Sequence, residues 1–239
     1  MGKVKINCDV GEGIENEQEL MPYIQYCNIA CGGHAGDVKS MTKMVELAIA
    51  NKVKIGAHPS YPDKTNFGRK SLIIDRDKLI KTIRDQIDHL ICIAKKSNMC
   101  VGHIKPHGAL YNDIAKSKNL AKTFIEAIII YKFNTTLFVP YESAIETVAI
   151  ENGFSIFYEA FADRNYNDDL SLVSRKDSNA LIRNSDASVR HVEEMLITGK
   201  VTSINNTKVK IKADTFCVHS DTINAISIVK ELNKINDLK

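Results

Sequence analysis

The sequence predicts an α/β fold in which a mainly parallel sheet is covered by helices. Short β-rich runs alternate with helical patterns along nearly the whole chain, the order expected of parallel strands joined by helical crossovers. Seven such βα units suggest a closed barrel, with a doubly wound open sheet as the alternative. Chemically capable residues gather just beyond the strand ends, which is where parallel α/β folds build their sites.

The predicted strands are residues 4–8, 26–30, 54–57, 100–105, 136–139, 155–161 and 215–219. The clearest helix runs from about Asp77 to Lys95. Leu79, Ile80, Ile83, Ile87, Leu90, Ile91 and Ala94 form one broad apolar stripe along it, and Asp75 is placed to cap its start. A second helix runs from Ser185 through Val189, Val192 and Leu196 and stops at Gly199. A third closes the chain from about Asp221 to Leu232. Residues 202–214 break the alternation, because Ile204-Asn205-Asn206-Thr207-Lys208 reads as the turn of a small antiparallel hairpin. With no linker, repeat or low-complexity tract, residues 1–239 are expected to form one domain.

Composition narrows the function. The 239 residues are 44% hydrophobic and 26% charged, ordinary for a folded soluble protein. A net charge of +3, with lysines dispersed among acids, gives no footprint for nucleic acid. No run approaches the ~20 apolar residues of a membrane span. The start, Met1-Gly2-Lys3-Val4-Lys5, has no signal-peptide core, and Asn7 stands where a myristoylation motif wants Ser or Thr. A cytoplasmic protein is expected. Its six cysteines are scattered without a CxxC pair and read as reduced, buried small hydrophobes. Cys31, beside a glycine-rich turn, is read in the same way because no base is tied to it.

The polar residues at the strand ends are the informative part. The first strand runs into Asn7, Asp9 and Glu12, and the second into Cys31-Gly32-Gly33-His34-Ala35-Gly36-Asp37. The third gives Gly56-Ala57-His58-Pro59-Ser60-Tyr61, and the fourth Lys105-Pro106-His107-Gly108. The sixth presents Glu159 before Asp163-Arg164, and the last His219-Ser220-Asp221. Single residues have plainer readings: Asp37 and Asp221 suit helix N-caps, and His89 and His191 suit helix surfaces. Glu159 lies inside an apolar strand and so needs a partner, which Lys105, Arg164 or a histidine can supply. On an extended strand His103 and His107 lie roughly 13 Å apart, too far to share a metal unless the chain bends at Pro106. His103 reads as a hydrogen-bonded core residue and His107 as facing the site.

Seven of these motifs, taken together, resemble the signatures of the LamB/YcsF family, in that family's order and along the whole chain. They are Asn7-Cys8-Asp9-Val10-Gly11-Glu12-Gly13, Asn28-Ile29-Ala30-Cys31-Gly32-Gly33-His34-Ala35-Gly36-Asp37 and Gly56-Ala57-His58-Pro59-Ser60-Tyr61-Pro62-Asp63, followed by Phe67-Gly68-Arg69, Lys105-Pro106-His107-Gly108-Ala109-Leu110-Tyr111, Glu159-Ala160-Phe161-Ala162-Asp163-Arg164 and Cys217-Val218-His219. The resemblance implies an irregular seven-stranded TIM-like barrel of the glycoside hydrolase/deacetylase type. It also implies a part in ATP-dependent 5-oxoprolinase, which opens the lactam of 5-oxo-L-proline to L-glutamate. In that enzyme a component of this kind works with two others, subunits B and C. Two loops depart from the family pattern, where Leu170 stands near a usual glycine and where Ser220 and Ile223 replace the usual glycine and proline.

For that chemistry Asp9, Glu159, Lys105 and His107 are the expected catalytic residues, with Asn7, His34, His58, Arg164 and His219 binding substrate. ATP, accompanied by Mg2+, is the expected cofactor. The chain has no Gly-x4-Gly-Lys-[Ser/Thr] loop, so the partner subunits are expected to share its handling, and no metal bound by the chain itself is predicted. Two other readings stand beside this one. A metal-dependent amide or acetyl-sugar hydrolase would use Asp9, His34 and His58 as ligands. A non-catalytic component would bind ligand or scaffold its partners.

Overall fold

In the computed structural model seven parallel strands close into a barrel. The order around it is β1 (Ile6–Val10), β2 (Tyr26–Ala30), β3 (Lys54–His58), β4 (Val101–Ile104), β5 (Thr136–Val139), β6 (Ser155–Phe161) and β9 (Thr215–Cys217). Residues 4–237 are described; residues 1–3, which include the Met-Gly start, and residues 238–239 lie outside them. The last strand decides between barrel and open sheet. It pairs with β6 through Glu159 and Thr215 and with β1 through Ile6 and Phe216, so neither edge is left open. β1 and β2 are buried along their whole length, as strands covered on both faces must be.

Helices wrap the barrel in the order α1 (Glu17–Leu20), α2 (Val38–Asn51), α3 (Arg76–Lys96), α4 (Gly108–Lys116), α5 (Lys118–Ile128), α6 (Ala144–Glu151), α7 (Ser185–Thr198) and α8 (Ala225–Asp237). α3 starts where its sequence says it should, because the Asp75 side chain accepts from the backbone N–H groups of Asp77 and Lys78. Its apolar stripe includes a buried Gln86, whose amide bonds both the N–H and the carbonyl of Ser60 and so fixes the turn after β3. Asp37 caps α2 through a reciprocal pair of bonds with Ser40. α7 ends at Gly199 in the left-handed conformation. The expected hairpin is β7 (Lys200–Thr202) against β8 (Lys208–Lys210).

Three expectations are corrected. Asp221 caps no helix, since α8 begins at Ala225 and the Asp221 carboxylate pairs with Arg69 and Arg175. His191 is buried and stacks on Tyr166, so it is a core residue; His89 is exposed. Cys92 and Cys100 are exposed, whereas Cys8, Cys27, Cys31 and Cys217 are buried as expected. Burial pushes the Cys31 thiol up to about 12, leaving it protonated. Among the described residues no helix is long and apolar enough to cross a membrane.

The barrel interior tolerates no added atom at Gly56. A Cβ there would sit 2.0 Å from Nε2 of the buried His103 ring, which fills the space between β3 and β4. The Gly56→Ala variant is expected to lose about 1–3 kcal/mol through overpacking, seen as a lower urea midpoint with unchanged slope.

Candidate active site

The floor of the site is an ammonium group inside the barrel. Lys105 follows β4, and its N–H donates to the Ala57 carbonyl oxygen at 2.9 Å, which keeps the backbone in register with β3. Its side chain turns inward and is almost fully buried. Nζ lies 2.9 Å from Asp9 Oδ1, 3.0 Å from Glu159 Oε1 and 3.1 Å from Cys217 Sγ. Burial favours the neutral amine, but Asp9, Cys217 and Glu159 outweigh it and hold the Lys105 pKa well above its usual value. Burial likewise works to raise the Asp9 carboxyl, yet His58 and Lys105 hold it well below the usual carboxylate range. Under this ion group Asn28 donates to Asn7 Oδ1 and Asp9 Oδ1, at 2.8 and 2.7 Å. His103 donates to Asn28 Oδ1 at 2.8 Å. Asn7 donates in turn to Thr215. The polar core is thus tied from β4 through β2 and β1 to β9.

Beside Lys105 stands a wall of three imidazoles around Glu12. His58 closes β3, His34 sits in the glycine-rich turn after β2, and His107 precedes α4. The rings of His34 and His107 stack with centroids 3.6 Å apart and planes 3° from parallel. Glu12 Oε1 lies 2.9 Å from His34 Nε2, 3.2 Å from His107 Nδ1 and 3.8 Å from His58 Nε2. Gly68 makes this stack possible: a Cβ there would come within 2.9 Å of His34 Cβ and 3.0 Å of His107 Cδ2. Burial lowers His34 to about 4, against the pull of Glu12, and lowers His107 as well. Both rings are therefore neutral at pH 7.

Above the floor opens a cavity of about 440 Å³ at the carboxyl ends of the strands. Asp9, Glu12, His58, Lys105, His107, Arg164 and His219 all reach it. Arg164 is held by the carbonyl oxygens of Val173 and Ala180, and His219 Nδ1 lies 3.0 Å from the buried Asp163 carboxylate. At the rim Asp221 bridges Arg69 and Arg175 at 2.7 and 2.9 Å. Half-exposed pairs of this kind contribute only about 0–1 kcal/mol to stability, so their use lies in charge placement. A second cavity at the opposite end of the barrel is lined mostly by apolar groups such as Tyr26, Phe138 and Phe157 and gathers no such set.

Comparison with known proteins agrees with this architecture. The family model described as the LamB/YcsF family matches residues 4–237. The chain belongs to the LamB/YcsF family. It is 40% identical over 239 residues to the 5-oxoprolinase A subunit of Alkaliphilus metalliredigens, covering 98% of this chain and 93% of that one. Identity to the 5-oxoprolinase A subunit of Pyrococcus abyssi is 38%, with the same coverage of each. Among solved structures, a lactam utilization protein from Thermus thermophilus superposes with a TM-score of 0.90 at 28% identity, over 99% of this chain and 97% of that one. A putative cellobiose-phosphate cleavage protein from Enterococcus faecalis shares the fold at a TM-score of 0.56 and 12% identity, over 99% of this chain and 92% of that one.

In this LamB/YcsF barrel the residues singled out from sequence come together, though not all at the cavity. Asp9, Lys105, His58, His107, Arg164 and His219 line it. Glu159 faces a smaller adjoining pocket and finds its partner in Lys105. Asn7 and His34 stand one layer behind, touching Lys105 and Glu12. The trio Asp9, His34 and His58 is not the set that converges for a metal. Glu12 joins His34, His58 and His107, with one ligand atom from each within 4.8 Å of the others, and Asp9 groups instead with Cys217 and His219. Glu12 is the residue that sequence reasoning undervalued. Its signal was its place between two glycines directly after β1.

Two outcomes follow from these charges. The Lys105→Met variant leaves Asp9 and Glu159 buried without their cation and is expected to lose about 3–5 kcal/mol. Adding Asp9→Asn to it should restore part of that loss in a urea double-mutant cycle. His103 is held neutral by burial, then by Lys105, with its pKa lowered from 6.5 to about 3. The unfolded chain therefore binds one more proton here between those values, and stability falls as the pH drops from about 6.5 towards 3. Thermal midpoints in that window should fall less steeply for His103→Gln than for the parent chain.

Proposed function

We propose that this chain opens the lactam ring of 5-oxo-L-proline to L-glutamate as one component of an ATP-dependent enzyme completed by subunits B and C. The names of its relatives support the substrate. The observation that carries the chemistry is the Lys105 ammonium fixed between Asp9 and Glu159, under a cavity rimmed by Arg69, Arg164 and Arg175. A buried, pre-oriented cation beside a carboxylate suits a reaction in which negative charge develops on a carbonyl oxygen. The arginines suit the substrate carboxylate and a phosphoryl group on the activated lactam oxygen.

In this reading ATP, with Mg2+, activates the lactam oxygen by phosphorylation, a step shared with or performed by the partner subunits. Asp9 takes a proton from water as the water oxygen bonds to the lactam carbon. Lys105 balances the charge gathering on the carbonyl oxygen. The ring C–N bond then breaks, Asp9 returns the proton to the departing nitrogen, and a second water cleaves the resulting acyl phosphate to the carboxylate of L-glutamate and inorganic phosphate. Its lowered pKa keeps Asp9 ionised before attack, and proton transfer to so weak a base proceeds only as the water oxygen bonds to carbon and grows acidic. His34 and His107 are neutral, so they orient rather than donate the proton.

The test is glutamate release from 5-oxoproline by the chain co-purified with its two partners, with and without ATP. Release that requires ATP, and that falls by about 10²-fold or more in an intact Asp9→Ala complex, is the expected result. Undiminished release by the Asp9→Ala complex would assign this chain a scaffolding role. Full turnover by the isolated chain would remove the partners from the reaction.

A further inference from the structure

The imidazoles of His58 and His107 are each committed on their outer side. His58 Nδ1 lies 2.7 Å from the Lys105 carbonyl oxygen, and His107 Nε2 lies 3.0 Å from the Phe67 carbonyl oxygen. A carbonyl oxygen only accepts, so both outer nitrogens carry the proton. The inner nitrogens, His58 Nε2 and His107 Nδ1, therefore point away from these carbonyls into the site. They face each other at 3.0 Å. Glu12 Oε1 faces both, and Asp9 Oδ2 lies 3.3 Å from His58 Nε2. Four atoms that can each accept a proton or bind a cation thus converge on one small space. Lys105 cannot relieve them, because its ammonium is engaged on Asp9 Oδ1, Glu159 and Cys217.

We propose that Glu12, His58 and His107 bind a divalent first-row transition-metal ion, with the remaining coordination position open to the cavity. Ligand type and spacing both fit. Two imidazoles and one carboxylate are a common donor set for zinc. Bonds of about 2.0–2.1 Å in tetrahedral geometry place ligand atoms about 3.3–3.4 Å apart. The three edges here are 3.0, 3.2 and 3.8 Å, a triangle that straddles that length. The carbonyl oxygens behind the rings supply the outer hydrogen bonds that fix the tautomer and aim of a metal-binding histidine. His34 is a positioning residue: it donates Nε2–H to Glu12 Oε1 and stacks on His107. All three ligands line the cavity, whereas His34 does not. The second cluster, Asp9 with Cys217 and His219, fits less well, because Lys105 already fills the space between Asp9 and Cys217.

The inference rests on this donor set and not on the lactam reading, so either can fail without the other. The competing occupant is a proton on His58 Nε2. The decisive experiment strips the full chain with chelator, dialyses it, and titrates it with zinc chloride by calorimetry and with cobalt(II) by visible absorption. One zinc per chain and the d–d bands of a four- or five-coordinate cobalt are expected. His58→Ala and His107→Ala should weaken zinc binding by at least about tenfold, with His89→Ala, on the exposed face of α3, binding like the parent. No uptake by the folded parent chain, or uptake undiminished in the two histidine variants, overturns the proposal. If a variant fails to fold, anomalous diffraction from zinc-soaked crystals of the parent chain decides: a peak among the three ligands supports the site, and none there refutes it.

Discussion

Lys105 carries its charge into a barrel that excludes water, and that cost organises the rest of the site. An unpaired ammonium there would be untenable, so three adjacent strands of the barrel supply anions or a soft acceptor to it. Asp9 comes from β1, Glu159 from β6 and Cys217 from β9. These are the strands that close the barrel, so the charge cluster and the closure are one arrangement. Asn28, Asn7 and His103 extend it downward through neutral hydrogen bonds. Bonds that tie β4, β2, β1 and β9 together restrict how this network can rearrange, which is what a site needing fixed charges requires.

The histidine wall solves a different problem. Three rings and a carboxylate must share a small volume, and they do so because the turns that carry them bring backbone unusually close. Gly68, in a left-handed conformation, passes where any side chain would strike His34 and His107. Pro106 then lets the chain leave β4 and present His107 beside His58 rather than far along a straight strand. The two acids in the first strand's motif consequently part company. Asp9 answers to Lys105, and Glu12 answers to the histidines. Two carboxylates in neighbouring surroundings are thereby given different tasks.

The rim is looser than the floor. Arg69, Arg175 and Asp221 come from three separate loops. They keep cationic charge over the cavity while remaining partly hydrated. Leu170 adopts a positive φ, a conformation that ordinarily favours glycine, and Ser220 is buried while Ile223 is exposed.

The sequence by itself determined the seven strands, the limits of α3 and α7, the hairpin and the family, because hydrophobic period, caps and turn residues are local signals. It also placed nearly all of the polar residues at one end of the sheet, since parallel connection fixes which end that is. Seven βα units and the family resemblance pointed to a closed barrel, and the closure itself is made by β9 pairing with β1 and β6 at once. The sequence did not separate cavity from backing layer: Asn7 and Asp9 stand two residues apart, yet only Asp9 meets the cavity. Asp221 followed the same logic, reading locally as a helix cap but drawn to two arginines distant in the chain. Glu12 was ranked low because its partners, His34, His58 and His107, come from three other turns. Charge pairing inside the barrel is set by distances across it, and those distances exist only once the chain has closed on itself.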